Sequence, residues 1–385
     1  MKNKSLKLTA LLLAAVMLLS LCACTVHVND GNLSDEEAQA IVDEVISAGD
    51  EIEAAMNEAE AELEAAVNET ESELEAAVNE TAAEPEAALG LNVNVMVLNG
   101  TTGFGMANLM SAAAAGETAL NYSFSVETDA SNVTAALVNG SADIAALPTN
   151  AASALYNKTS GGVQVLALNT LGVLYVVAGT DSEISSFEDL RGLTVYVPAQ
   201  NPTFIFTYLC EQNGLVPGTD IFIDNSYAQP AELNTAVSAG EVEVAVLPEP
   251  MVTVAASSGN VKVVMDLTAE WDAVAPEGSL VQGCVVVRTE FAEQHPAEVA
   301  VFLMEYEASV LALTEDVEGS AAKIEECGIL AKAAIAAKAI PNCNVCFITG
   351  EDMRDALSEF LDIMFETAPA SIGGAVPADD FYYIG

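Results

Sequence analysis

Positive charge is scarce in this chain. Its 385 residues hold 11 Lys+Arg against 57 Asp+Glu, for a formal net charge of −46. A surface this negative repels phosphate backbones and anionic headgroups, which excludes nucleic acid as a partner. Histidine is nearly absent: there are two, His27 and His295. That starves most metal sites and most histidine-based catalysis. No metal site, catalytic residue or cofactor is therefore expected. Gly100, Gly103 and Gly105 fit neither a dinucleotide fingerprint nor a Walker loop. After residue 19 no run of about 18 apolar residues occurs, so nothing further along is expected to cross a membrane. Apolar residues as a class are plentiful at 52%, enough for one or two packed domains.

The N-terminus reads as a targeting signal. Lys2, Lys4 and Lys7 precede an apolar run, Leu8–Leu19, too short to span a bilayer comfortably. Leu21-Cys22-Ala23-Cys24 follows and resembles a bacterial lipobox. Residues 1–23 are then a lipoprotein signal peptide, and Cys24 becomes the lipidated N-terminus on the outer face of the cell membrane. The alternatives are an ordinary secretory signal with chance cysteines, or an uncleaved anchor.

Residues 24–86 form an acidic spacer. From Asp30 to Glu86 there are 20 of the 57 acids and no Lys or Arg. An 11-residue unit repeats three times from Glu51, Glu62 and Glu73. It places Ile52, Met56, Leu63, Val67, Leu74 and Val78 on one helical stripe with a period near 3.67. Pro85 ends the pattern. Glu-rich flanks without lysine partners make a lone helix marginal. The segment is a helical stalk or a disordered acidic tether.

From Ala87 onward the pattern is alternating strands and helices. Leu91–Leu98 alternates and runs into Asn99-Gly-Thr-Thr-Gly103; Ser131 and Gly140 bracket a helix; Asp143–Leu147 reads as a buried strand. This order predicts an open α/β sheet with ligand sites at the carboxyl ends of its strands. The segment also repeats itself at a fixed offset of 100. Ala136/Ala236, Gly140/Gly240, Ala145/Ala245, Leu147/Leu247 and Pro148/Pro248 are identical, and Val95/Val195 and Phe104/Phe204 extend the match. Two equivalent lobes facing each other would bring four strand-end loops into one cleft that closes by a hinge. The chain is expected to cross between lobes near Asn169–Val173 and to return near Cys284–Val287. Helices after Pro296 are expected to pack on the first lobe.

Several stretches resemble a known family. Val93–Gly105 (VNVMVLNGTTGFG), Ala145–Lys158 (AALPTNAASALYNK), Asn169–Val177, Val246–Thr253 and Asp379–Ile384 look like those of solute-binding lipoproteins of ABC importers. The likeness is to the broad group of nitrate, sulfonate, taurine and thiamine-pyrimidine binding proteins, and it covers about 91–385. It implies a periplasmic-binding-protein-like α/β fold of type II, two lobes with a hinge and a central ligand cleft. Residues 87–169 with 285–385 would form lobe I, and 170–284 lobe II. It implies capture of a small-molecule solute, without catalysis, for delivery to ABC permease and ATPase subunits by a monomer.

In such a cleft the candidate ligand contacts are Asn99, Gly100, Thr101 and Thr102 after the first strand, and Thr149 and Asn150 after another. Gln200, Asn201 and Thr203 occupy the matching loop of the second lobe. There the family usually shows a Gly-rich segment, and this chain has Pro198-Ala-Gln-Asn-Pro202. Glu249 is the one acid of the four loops; it accepts from a solute amine, or it merely favours a helix dipole. Tyr175 and Phe204 either stack on a ring or pack in the core. None of the domain's eight bases falls in a loop, which favours a neutral or cationic heterocycle or amine over an anion. Pyrimidine-precursor synthases of similar fold need a histidine and a cysteine-rich motif. Here Cys343-Asn-Val-Cys346 stands alone and equally fits a surface disulfide, with Cys327 as a further partner. A ligand-sensing subunit for a membrane signalling partner is the rival reading. A surface protein whose cleft has decayed is a third.

Overall fold

A computed structural model of the chain describes residues 91–385. The expected signal peptide, Cys24 and the 24–86 spacer lie outside them. Strict alternation builds the first strand. In β1 (Asn92–Leu98) Val93, Val95 and Val97 enter the core, while Asn92, Asn94 and Met96 face the other side. β2 (Asn121–Glu127) and β3 (Ile144–Pro148) run parallel to it. Ile144–Leu147 of β3 is continuously apolar and buried, as an inner parallel strand requires. β4 (Val163–Thr170) leads out of this sheet. β5 (Leu174–Gly179), β6 (Thr194–Tyr196), β7 (Phe222–Asp224), β8 (Val244–Pro248) and β9 (Val261–Asp266) form a second sheet. β10 (Gly283–Arg288) and β11 (Val345–Ile348) rejoin the first.

The six-stranded sheet is ordered β11-β4-β10-β3-β1-β2 and the five-stranded one β7-β6-β8-β5-β9. Read from β2 and from β7, the two orders correspond. In each, three parallel strands are followed by an antiparallel one, β10 or β5. The 100-residue offset is thus β1–β3 repeated as β6–β8. The antiparallel strand of each sheet is the one that has just arrived from the other. This mixed α/β architecture of two sheets agrees with the fold class expected from the sequence.

Helices cover the sheets in the same repeated order. α1 (Thr101–Phe104) and α2 (Ala107–Ala115) follow β1, α3 (Ala130–Asn139) follows β2 and α4 (Thr149–Thr159) follows β3. α5 (Asn201–Gln212), α6 (Pro230–Ser238) and α7 (Met251–Ala256) follow β6, β7 and β8. α3 is capped by Asp129, whose carboxylate accepts from the Ser131 N–H at 2.8 Å, so Ser131 lies inside the first turn. Gly140 closes it in the left-handed conformation. No helix among the described residues is long and apolar enough to cross a membrane.

The remaining helices are α8 (Leu267–Asp272), α9 (Thr289–Gln294), α10 (Pro296–Glu315), α11 (Val317–Glu326), α12 (Ala333–Ala339) and α13 (Gly350–Thr367). α10 and α11 pack on the first lobe, where the Asn108 amide of α2 donates to Ser309 O and Ser320 Oγ, both at 3.0 Å. α13 departs from the expectation that everything after Pro296 does so. Its buried face, which includes Met353, Leu357, Phe360 and Met364, joins a core shared by both sheets. Phe360 lies 5.8 Å from Trp271 of α8, and Trp271 lies 4.9 Å from Tyr208 of α5.

Two segments cross between the sheets side by side. One is Leu171–Val173; the other, Ser279–Gln282, leads into β10. Gln282 N donates to Thr170 O (2.9 Å), and its side-chain oxygen accepts from Val173 N (2.8 Å). The return thus lies just ahead of Cys284–Val287, which are already paired within the first sheet. Two glycines at the crossings leave no room for a Cβ. A Cβ on Gly172 would stand 2.2 Å from Thr268 Oγ1, and one on Gly283 2.4 Å from Asn169 Oδ1.

Candidate functional site

The first loop is built by close backbone approach. Gly103 allows α1 to turn back under β1: a Cβ there would lie 2.3 Å from Leu98 O. Asn99 is exposed and its N–H donates to Glu127 O (2.8 Å). Gly100 adopts φ 86°, ψ −160°. Thr101 is buried and Thr102 half-buried, and the Thr102 carbonyl accepts from the Asn169 amide at 3.1 Å. α1 is only four residues long, so this loop offers backbone and hydroxyl groups rather than a helix dipole.

At the end of β3, Thr149 is fully buried and already committed. Its hydroxyl donates to Val281 O (2.7 Å) and its N–H to Gln282 O (3.2 Å). Asn150 beside it is only 6% exposed. In the second lobe Gln200 is exposed, with φ 72° and ψ −132°, close to the conformation of Gly100 in the first repeat. The loop that lacks the family's glycines therefore keeps a glycine-like path. Thr203 spends its hydroxyl locally: it donates to Pro198 O (2.7 Å) and accepts from the Asn225 amide (2.8 Å). Asn201 is 7% exposed. Phe204 packs, partly buried, against the shared core, the bland one of its two expected roles.

Glu249 follows β8 and is buried, with 3% exposure. Its two carboxylate oxygens accept from Thr253 N (3.1 Å) and Thr253 Oγ1 (3.0 Å), so it closes the first turn of α7. Burial pushes its pKa up, and the two Thr253 bonds oppose that rise. The dipole-favouring alternative describes it better than the amine-accepting one, except that it does not face water.

A chain of hydrogen bonds ties the two lobes' β3 and β8 ends together. Thr149 N bonds Gln282 O, Gln282 Oε1 bonds Val173 N, and Val173 O accepts from Glu249 N at 2.9 Å. Thr149 and Glu249 thus meet at the paired crossings. The first loop joins through Asn169, which lies next to Thr170 on the same crossing strand. No hydrogen bond links the 200–203 loop to the other three.

Gln282 is the residue sequence reasoning passed over. It stands just ahead of β10, and no spacing marks its amide. The segment after α12 was missed too. Tyr175 Oη donates to Asn342 O (3.2 Å), the Asn344 amide donates to Gly172 O (2.6 Å), and Leu171 N donates to Asn344 O (3.1 Å). Asn342–Asn344 therefore pins the first crossing and touches the second lobe. Burial raises the pKa of the Cys343 thiol, and the neighbouring Glu249 charge adds to it. The five described cysteines are all free. Cys343 is fully buried, Cys346 points its thiol at Leu168 O (3.6 Å) and Cys327 at Ala107 O (3.8 Å), so no surface disulfide forms among them.

Four of the domain's eight bases are engaged elsewhere. Arg191 pairs with Asp220 (2.7 Å), Arg288 with Asp143 (2.9 Å), Arg354 with Glu351, and Lys323 with Asn108 (2.9 Å). Two others, Lys332 and Lys338, lie at the start and in the last turn of α12, which packs on α7 and follows the Gly100 N to Ile329 O bond (3.4 Å). No group of three or more metal-ligating side chains occurs among the described residues.

Comparison with known proteins agrees with this architecture. A family model described as the periplasmic substrate-binding protein of a phosphonate ABC transporter matches residues 110–324. The fold is similar to an ABC transporter protein from Parabacteroides distasonis. The two share 23% identity at a TM-score of 0.64, over 76% of this chain and 98% of that one. It is also similar to the periplasmic aliphatic sulphonate binding protein SsuA of Escherichia coli, at 16% identity and TM-score 0.61, over 76% and 92% of the two chains. A third likeness is the ligand-binding component of an ABC-type import system from Staphylococcus aureus, at 15% identity and TM-score 0.60, over 76% and 96%. No curated protein matches the chain in sequence.

Proposed function

We infer the function from the family to which the chain belongs, the periplasmic substrate-binding proteins of ABC transporters, phosphonate type. Members of this family are extracytoplasmic and non-catalytic, and deliver small solutes to permease and ATPase subunits. Our reading is that this chain captures a small organic solute between lobe I (87–169 with 285–385) and lobe II (170–284), and closes on it by a hinge. The observation that carries it is the chain of hydrogen bonds Thr149–Gln282–Val173–Glu249, which holds strand ends of both lobes at the paired crossings. Asn99–Thr102, Thr149–Asn150, Gln200, Asn201 and Thr203, and Glu249 line the proposed cleft. Within that group Thr149, Thr203 and Glu249 act by shaping it, because their side chains are already bonded. Lipidation at Cys24 and the acidic spacer tether the monomer to the membrane.

The case for a cationic solute weakens once Glu249 is engaged by Thr253 and two lysines stand on the adjoining segment. The test is a thermal-shift screen of the full chain against amines, pyrimidines, sulfonates and nitrate, with small-angle scattering on every hit. A saturable rise in melting temperature with a smaller radius of gyration is expected. Turnover of a screened compound without stabilisation by any of them would sink the reading.

A further inference from the structure

Among the described residues three asparagines bury an Oδ1 that has no hydrogen-bond partner: Asn150, Asn201 and Asn234. Folded chains avoid leaving such groups empty, because a buried acceptor loses water and gains nothing. Asn234 lies in the middle of α6. The other two stand on the first turns of α4 and α5, helices of 11 and 12 residues, each in a loop at the carboxyl end of a strand. They belong to different lobes, and both are more than nine-tenths buried. An asparagine side chain offers an acceptor and a donor side by side in one plane. That is the complement of a cyclic amide, a urea or the edge of a nucleobase.

We propose that Asn150 and Asn201 read an uncharged hydrogen-bonding face of the solute, of the amide, urea or nucleobase kind, one asparagine from each lobe. The proposal rests on the solute-binding reading above and adds the class of solute to it. Three other polar side chains at these strand ends are already engaged. Thr149 is bonded to Val281, Thr203 to Pro198 and Asn225, and Glu249 to Thr253. Both Glu249 carboxylate oxygens are already taken by Thr253, and burial raises its pKa. A solute bonded to both amides would couple the two lobes and favour whichever arrangement presents both to it. In the solute-free protein the two amides weaken the fold.

The test uses the full chain and the variants Asn150→Ala and Asn201→Ala, with Asn150→Leu and Asn201→Leu as apolar controls of the same branching. Uracil and 2-pyrrolidone are the neutral probes, methylphosphonate and methanesulfonate the anionic ones. Without any probe, the variants are expected to melt at or above the wild-type temperature. With uracil or 2-pyrrolidone, the wild type should gain several degrees, and each variant should bind about ten- to a hundredfold more weakly. All four variants melting well below wild type would make the asparagines structural and overturn the proposal. So would stabilisation by an anionic probe that survives in both Ala variants, and that result would leave the import reading standing. A flat response to all four probes overturns this proposal and leaves the import reading to the broader screen above.

Discussion

Replacing Gln200 by glycine should stabilise the solute-free protein, although it deletes a whole side chain. At φ 72° and ψ −132° the Gln200 Cβ crowds its own backbone. Holding a non-glycine residue in so sparsely populated a region costs about 1–3 kcal/mol. Glycine relieves that cost and adds freedom to the unfolded chain, which takes back about 0.4–1 kcal/mol. The net gain is then about 0.5–2 kcal/mol. The exposed side chain makes no cap hydrogen bond, so little else is lost. The first repeat supplies the reciprocal experiment. Gly100 has φ 86° and ψ −160°, and a Cβ on it would meet nothing within 4 Å. Gly100→Ala should therefore lose stability through backbone strain alone, by about 1–3 kcal/mol before the smaller unfolded-state gain. The assay is urea unfolding followed by circular dichroism and by the fluorescence of Trp271, the chain's one tryptophan. Midpoints should move in opposite directions at constant slope. A lowered midpoint for Gln200→Gly, or a neutral Gly100→Ala, would refute the strain argument.

Gly103→Ala should cost about 2–3 kcal/mol in the same assay, because its methyl group would meet Leu98 O at 2.3 Å and Val97 Cγ1 at 2.9 Å. Glu249→Gln should flatten the pH dependence of stability. Burial raises the folded pKa of Glu249 above 4.5, so its stabilising contribution is present below that value and lost as pH rises through the folded pKa. The glutamine variant should gain on wild type over that window, and parallel pH profiles would contradict the assignment. Tyr175→Phe removes the hydrogen bond to Asn342 O at a cost of about 0.5–1.5 kcal/mol. Hydrogen exchange should quicken around Leu171–Val173, and unchanged exchange there would show that this bond does not restrain the crossing. Cys24→Ser should release the protein from membranes into the soluble fraction; retention on the membrane would rule out lipidation at that residue.

The doubled architecture is written locally along the chain. Alternation in Val93, Val95 and Val97 and the identities at an offset of 100 are carried by neighbours along the chain. Strands and helices respond to those neighbours first, so β1–β3 and β6–β8 were readable before any contact was known. One local relation was readable and overlooked: Thr253 stands one helical turn after Glu249, the spacing at which it can bond the carboxylate. Long-range packing supplies the rest. Gln282 joins the β3 and β8 ends because two crossings pass side by side. Asn342–Asn344 pins one crossing from some 170 residues away in sequence. α13 reaches Trp271 because the core continues through both sheets. Ile329 meets Gly100 across more than two hundred residues of sequence. These contacts depend on where distant segments arrive, and no period or spacing in the chain encodes an arrival. The same limit applies to the solvation of Asn150 and Asn201. Their type and place were legible, but that the fold buries both Oδ1 atoms without a partner is a property of packing.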